Sequence, residues 1–382
     1  MSKYIEPLTR ALALASVPGY RVITLLLIIF LSSDVVANKY AEIILFSSFI
    51  SAFSGSAVAC QIYIPRRSMS WMVLMAYTVG LTSVCVAVLV LFGFVGDLNL
   101  LVLFSTGLFM SVFEVLKADS LVAGRFRRIL VAGVLSSLAL PLAILLLGEN
   151  LAYLAVSVFC MPVIFMLPVH RRSSFSLDEF NNTVSADILS YSISNSFSTG
   201  IGFLMPILIL RELGGNTAQD LSLLSMGASI FYLYPRFLSA ALIIKFQKVI
   251  EQGDLKAVER QIFYGFFGVG IFLVLINNYI QISVVSSIFF MSLLLTQIAL
   301  PSANAINVMG LGKQILRVNI IFVVLLIICC LLSYFTSTAG PFRALLYVSS
   351  FGLCVLVRVF MTKNIARLAM LQSHSEQNEI LG

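Results

Sequence analysis

Arg236 sits deep inside an apolar run, and that position demands a chemical reason. A guanidinium near the middle of a membrane helix costs about 2.5–3.5 kcal/mol on insertion scales, so such a residue faces protein or water and marks a functional path. Its neighbours are ordered. Ser222, Ser225, Ser229, Tyr232, Arg236 and Ser239 are separated by three or four residues, which holds them on one helix face. Packing between helices accounts for serines in such a stripe but has no need of an arginine. A weaker stripe in an earlier run holds Tyr40, Ser47, Ser51, Ser54 and Gln61. It reads either as a cavity lining or as helix packing.

Arg21 is a second buried-looking cation, about 15 Å along its helix at 1.5 Å per residue. It either snorkels to the near surface or faces inward. An arginine fork matches the oxygens of a phosphate, so two such cations suit an anionic, phosphorylated substrate. Glu114 is the acid farthest from a loop. It either pairs with Lys117 one turn on or responds to protons or cations. The segment ILSYSISNSFSTG puts seven hydroxyl or amide side chains, Asn195 among them, into the ten residues from Ser190 to Thr199, besides Tyr191. No single face holds them all, and a bent or partly hydrated helix lining a cavity is expected. Gln297, Asn304 and Asn307 share a face near Pro301, which is expected to kink its helix. These amides either bond between helices or line the same cavity.

Catalytic chemistry has no such footing. The histidines, His170 and His374, fall in polar segments. There is no phosphate-binding GxxxxGK[ST] loop and no HExxH pair. The six cysteines all lie in apolar runs without metal-ligand spacing. Neither an enzyme, a metal nor a cofactor is expected.

The elements that must position these residues are membrane helices. Of 382 residues, 60% are hydrophobic and 11% charged. The mean hydropathy is +1.03. A soluble chain carries about a quarter charged residues. Runs of about 20 apolar residues recur, each long enough for a hydrocarbon core about 30 Å thick. Lipid offers no partner for open backbone groups, so the runs are helices, and the alternation of a β-barrel is absent. Spans are expected at 11–32, 40–63, 70–92, 98–120, 129–147, 150–169, 187–211, 219–245, 260–281, 283–308, 314–336 and 341–362. The polar start, 1–10, is expected to precede a retained helix and not a signal peptide.

The net charge of +7 does not indicate nucleic acid, because the basic residues sit in short loops. One alternate set of loops and tails holds eighteen lysines and arginines, from Lys3 to Arg367, and the other holds only Lys39, Arg211 and Arg343. This bias places the first set, and both termini, in the cytoplasm. Arg21 and Arg236 then lie in the cytoplasmic half of the membrane. The segment 247–260, QKVIEQGDLKAVER, reads as a short helix at the cytoplasmic interface. The longest polar break, near the midpoint, separates six spans from six. The chain thus divides into a bundle at 1–169, a cytoplasmic linker at 170–186, a second bundle at 187–365 and a tail at 366–382. Six is even, so the halves form a parallel repeat. The expected fold class is an all-α integral membrane protein of about twelve helices in two six-helix bundles around a central cavity.

Local stretches add a resemblance. LRELGGNTAQDLSLLSMGASIFYLYPRFLSAAL (210–242), QGDLKAVERQ (252–261), NVMGLGKQILRVNI (307–320) and EVLKADSLVAGRFRRI (114–129) look like segments of the multidrug/oligosaccharidyl-lipid/polysaccharide exporter superfamily. Within it the chain most resembles the Wzx-type flippases of O-antigen and related lipid-linked oligosaccharides. The resemblance implies alternating access and flipping of an undecaprenyl-diphosphate-linked glycan across a bacterial inner membrane. It maps Arg21 and Arg236 onto the family's cavity arginines, to hold the diphosphate. Ser51, Asn195, Ser229, Tyr232 and Asn304 would meet the sugars, and Glu114 would couple an ion gradient. The partners implied are the lipid-linked oligosaccharide, the bilayer, and the glycan polymerase and chain-length proteins. The alternatives are a multidrug or organic-cation antiporter of the same superfamily and, in another class, a membrane glycan polymerase or ligase. An antiporter for cations needs acids inside the membrane, and a polymerase needs a large outer loop. Both features are poorly represented here.

Overall fold

The computed structural model describes residues 33–62, 69–95, 98–147, 150–166, 182–213, 283–308, 311–336 and 340–381, with scattered positions in 9–31 and 259–271. The described elements are helices throughout. Their contacts divide the chain into two compact units. The first comprises Met1–Leu210 and Gly214–Met226, the second Arg211–Leu213 and Gly227–Gly382.

The first unit contains α1 (Asp34–Phe53), α2 (Gly55–Ile62), α3 (Trp71–Leu91), α4 (Leu100–Val122), α5 (Phe126–Leu147), α6 (Leu151–Met166) and α7 (Asn182–Asn195). A π-helical turn, Ser196–Gly200, leads into α8 (Ile201–Leu213). The helix expected as the seventh span packs here with the first unit, against α1 and α2. The linker expected at 170–186 lies mostly outside the described residues. Local signals set the ends. Ser70 caps α3 by accepting from the Val73 N–H, and Asn99 caps α4 by accepting from Leu101 and Val102. Gly93 and Gly124 follow α3 and α4 with positive φ, where a side chain is strained. α4 is the hub of this unit and touches α1, α2, α3, α5 and α6.

The second unit contains α9 (Val284–Ile298), α10 (Leu300–Val308), α11 (Gly312–Thr336) and α12 (Gly340–Leu381). Here α12 is the hub, packing on α9, α10 and α11. Phe351 of α12 lies 5.8 Å from Phe289 and 6.3 Å from Phe322 by ring centroid, and this trio forms the apolar centre. α12 runs on to Leu381, through the stretch expected as the tail at 366–382. Its sequence there has no proline or glycine to stop the helix.

Seven described stretches are long and apolar enough to cross a membrane: Val35–Ile62, Trp71–Leu91, Leu100–Val122, Ser185–Leu213, Val284–Ala303, Lys313–Thr336 and Gly340–Leu371. Only 28% of the most apolar window of Lys313–Thr336 is buried, whereas 78% of that of Val35–Ile62 is. A soluble helix cannot leave such an apolar surface open. Lipid therefore covers α11, and Val35–Ile62 is an inner helix.

Candidate functional site

The polar stripe of Val35–Ile62 faces protein. Ser47 donates to Thr106 Oγ1 at 2.8 Å, Ser51 donates to the Met110 carbonyl at 3.4 Å, and the Ser54 and Ser111 hydroxyls lie 2.6 Å apart. Thr82 of α3 donates to Ser54 at 3.1 Å. All of these side chains are buried. The ladder therefore joins α1, α3 and α4. It is the helix-packing reading of the stripe that these bonds match, with hydroxyls meeting where no water competes. Ser51, expected at the sugars, spends its hydrogen on α4.

The serine-rich segment shows a different use of the same residue types. Ser192 donates to the Ile188 carbonyl and Ser196 to the Ser192 carbonyl, each at 2.9 Å. Such back-bonding to the preceding turn loosens an α-helix. The chain then widens into the π-turn Ser196–Gly200, a feature that marks functional sites in many helices. Pro206 follows inside α8. The irregular helix expected from this segment is present. Asn195, at its start, hydrogen-bonds the Cys60 thiol of α2. A Cβ on Gly200 would fall 2.8 Å from the Phe49 ring, so the glycine permits the close approach of the turn to α1.

The tenth expected span is interrupted, as Pro301 requires. It divides at Ala299 into α9 and α10, because proline has no N–H and crowds the preceding turn. Gln297 donates to Thr296 Oγ1 at 2.8 Å. Asn304 sits on α10. Glu114 forms an ion pair with Lys117, both largely buried, which matches the local-pair reading. Arg21, Ser229, Tyr232 and Arg236 lie outside the described residues.

One charged residue was not assigned a role from sequence. Arg358 lies within Gly340–Leu371 and is 8% exposed. It occupies the buried face of α12, in register with Phe351, Val355 and Thr362. Its Nε donates to Asn319 Oδ1 of α11 at 2.7 Å, and its Cζ stands 5.8 Å from the centre of the Phe322 ring. No carboxylate pairs with it among the described residues. The criterion that singles out Arg236 would have found it. Lys363 five residues on disguises it as a boundary charge, and Asn319 is hidden in the same way by Arg317. At this end Lys363 binds Glu259 at 3.0 Å, and Ser302 donates to the same carboxylate. At the other end of α12, Arg343 Nη1 reaches both carboxylate oxygens of Glu212 at 3.1 Å and stands 4.8 Å from the Tyr334 ring centre. Among the described residues no group of His, Cys, Asp or Glu could hold a metal.

No family model and no curated protein matches the chain. Solved structures do. An outward-facing multidrug resistance MATE family transporter of the MOP superfamily aligns with a TM-score of 0.59, over 96% of this chain and 94% of its own, at 14% identity. A Vibrio cholerae MATE transporter gives 0.57 over 98% and 96%, at 12% identity. A MATE protein in a bent conformation gives 0.56 over 96% and 95%, at 14% identity. At such identities the likeness shows the fold. The chain is an all-α, multi-pass membrane protein with about twelve spans in two bundles.

Proposed function

We propose that the protein translocates undecaprenyl-diphosphate-linked oligosaccharide units, of the O-antigen type, from the cytoplasmic to the outer leaflet of a bacterial inner membrane by alternating access. The fold is that of solved transporters, which supports transport over an enzymatic role such as glycan polymerase or ligase. The sign of the charge inside the spans carries the choice of substrate. Among the described residues the in-span acids Glu114 and Glu42 are engaged, Glu114 by Lys117, while Arg358 meets no carboxylate there. A cation exporter needs the opposite balance. In this reading Arg21 and Arg236 hold the diphosphate through forked, charge-assisted bonds. Asn195, Ser229, Tyr232 and Asn304 meet the sugars, and the lipid tail stays in the bilayer. Both termini are cytoplasmic, and glycan polymerase and chain-length proteins act on the delivered product.

The second reading is a multidrug antiporter. One of the structures the chain resembles is a multidrug resistance MATE family transporter, and that observation favours this reading. One pair of measurements separates the two. Arg236→Ala, expressed at wild-type level, should abolish surface glycan display and leave drug sensitivity unchanged. Undiminished display would remove the diphosphate role, and a drug-sensitive phenotype would favour the antiporter.

A further inference from the structure

In the second unit a short helix is held between two backbone breaks. α10 (Leu300–Val308) is nine residues long. Before it stand Ala299, outside both helices, and Pro301, which has no N–H to give the Gln297 carbonyl. That carbonyl takes the Ala299 N–H instead. After it, Leu311 closes onto the Ile306 carbonyl at 3.0 Å, between Gly310 and Gly312 of the sequence. Breaks of this kind let a packed segment turn as one piece.

Two attachments hold α10, at the basic end of the unit where Lys313, Arg317 and Arg367 are exposed. Toward its far end Ile306 is fully buried with Ile315 of α11 and Ala366 of α12. Beside the proline break, Ser302 donates to the Glu259 carboxylate, which Lys363 of α12 holds at 3.0 Å. The second attachment can release without stranding a bare charge, because Glu259 keeps Lys363 when Ser302 leaves. Gln297 supplies a reason to open. Thr296 gives its one hydrogen to the Leu293 carbonyl at 2.6 Å, so the Gln297 amide turns its N–H toward Thr296, at 2.8 Å. Its Oε1 then has no donor among the described residues, in a residue that is 6% exposed. An unmet buried acceptor destabilises the closed arrangement, and water reaching it removes that penalty.

We propose that α10 is a hinged flap: it turns about Ala299–Pro301, the Ser302–Glu259 bond latches it shut, and its opening brings water to Gln297. Closed, the flap has the charge-assisted bond of Ser302 and the burial of Ile306. Open, it hydrates Gln297. Each state has a gain that the other lacks, which is the condition for a two-state element. The flap lies within one unit and works in the same way whatever the substrate.

The test places a single thiol by Gln297→Cys in a full-length, otherwise cysteine-free chain in nanodiscs and follows its reaction with a water-soluble maleimide. A second chain keeps native Cys354 alone, which is 3% exposed in the same unit and reads global opening. Ser302→Ala removes the latch and leaves the Glu259–Lys363 pair whole. It should speed labelling at position 297 about tenfold, the loss of one charge-assisted bond, with no change at Cys354. Glu259→Gln, which keeps a neutral acceptor, should give a smaller rise. Pro301→Ala restores the missing N–H and should slow labelling, since α9 and α10 can then join. Equal rates at position 297 with and without Ser302→Ala would overturn the flap. So would an equal rise at Cys354, which is loss of stability and not hinge motion.

Discussion

The hydroxyls of Ser54 and Ser111 lie 2.6 Å apart where Gly55 brings α2 onto the backbone of α4. A Cβ on Gly55 would stand 2.6 Å from both the Ser111 Cα and its carbonyl oxygen. The approach exists because the residue is glycine, and it is what lets the buried hydroxyls of α1, α3 and α4 reach one another. In lipid, where apolar burial between helices has little force, close backbone contact and such bonds do the holding.

Gly55→Ala should therefore destabilise the protein by about 1–3 kcal/mol, the usual cost of overpacking. Gly80 gives the control, because a Cβ there meets nothing within 4 Å. Gly80→Ala should be neutral or stabilising by up to about 1 kcal/mol. Thermal unfolding in one detergent compares the two variants. Equal melting temperatures would show that the α2–α4 approach is not rigid.

The Arg343–Glu212 pair should count for more than a surface ion pair. Each side chain is 17% exposed, and Tyr334 flanks the guanidinium. Gly340 lies close by, its Cβ position 2.4 Å from the Glu212 carbonyl oxygen. A double-mutant cycle with Glu212→Gln and Arg343→Gln should give a coupling of about 1 kcal/mol or more, above the 0.2–1 typical of exposed pairs. A coupling near zero would reduce the pair to a surface contact.

Glu114 and Lys117 should behave as a structural pair. Replacing either alone breaks a largely buried ion pair, so Glu114→Gln and Lys117→Gln should each lower stability, and the double variant should lose less than the sum of the two. Glycan display at matched protein level should survive in the double variant. Its loss with stability retained would restore Glu114 to the ion-coupling role read from sequence.

The orientation is open to a labelling experiment. In a cysteine-free background, Phe335→Cys at the end of α11 and Leu371→Cys beyond the basic end of α12 place exposed thiols on opposite surfaces. A membrane-impermeant maleimide should label the first from outside the inner membrane and the second only after lysis. The reverse pattern would invert the assignment made from loop charge.

By itself the sequence determined the class of this protein, its span count, the break at Pro301 and the irregular stretch around Asn195. Those properties follow from transfer free energy and backbone chemistry, which act locally: twenty apolar residues must span, Pro301 must interrupt, and crowded serines must disturb the helix that carries them. The tertiary structure decided which polar residues meet. Ser51 carries the same side chain as the serines around Asn195, yet it bonds to a neighbouring helix while Ser192 and Ser196 bond within their own. Arg358 looks like a boundary charge beside Lys363 until α11 brings Asn319 against it and the fold closes over both. A pattern of spacing fixes the face on which a residue stands. What stands opposite that face comes from helices remote in sequence, so the partner, and with it the role, exists only once the bundle has packed.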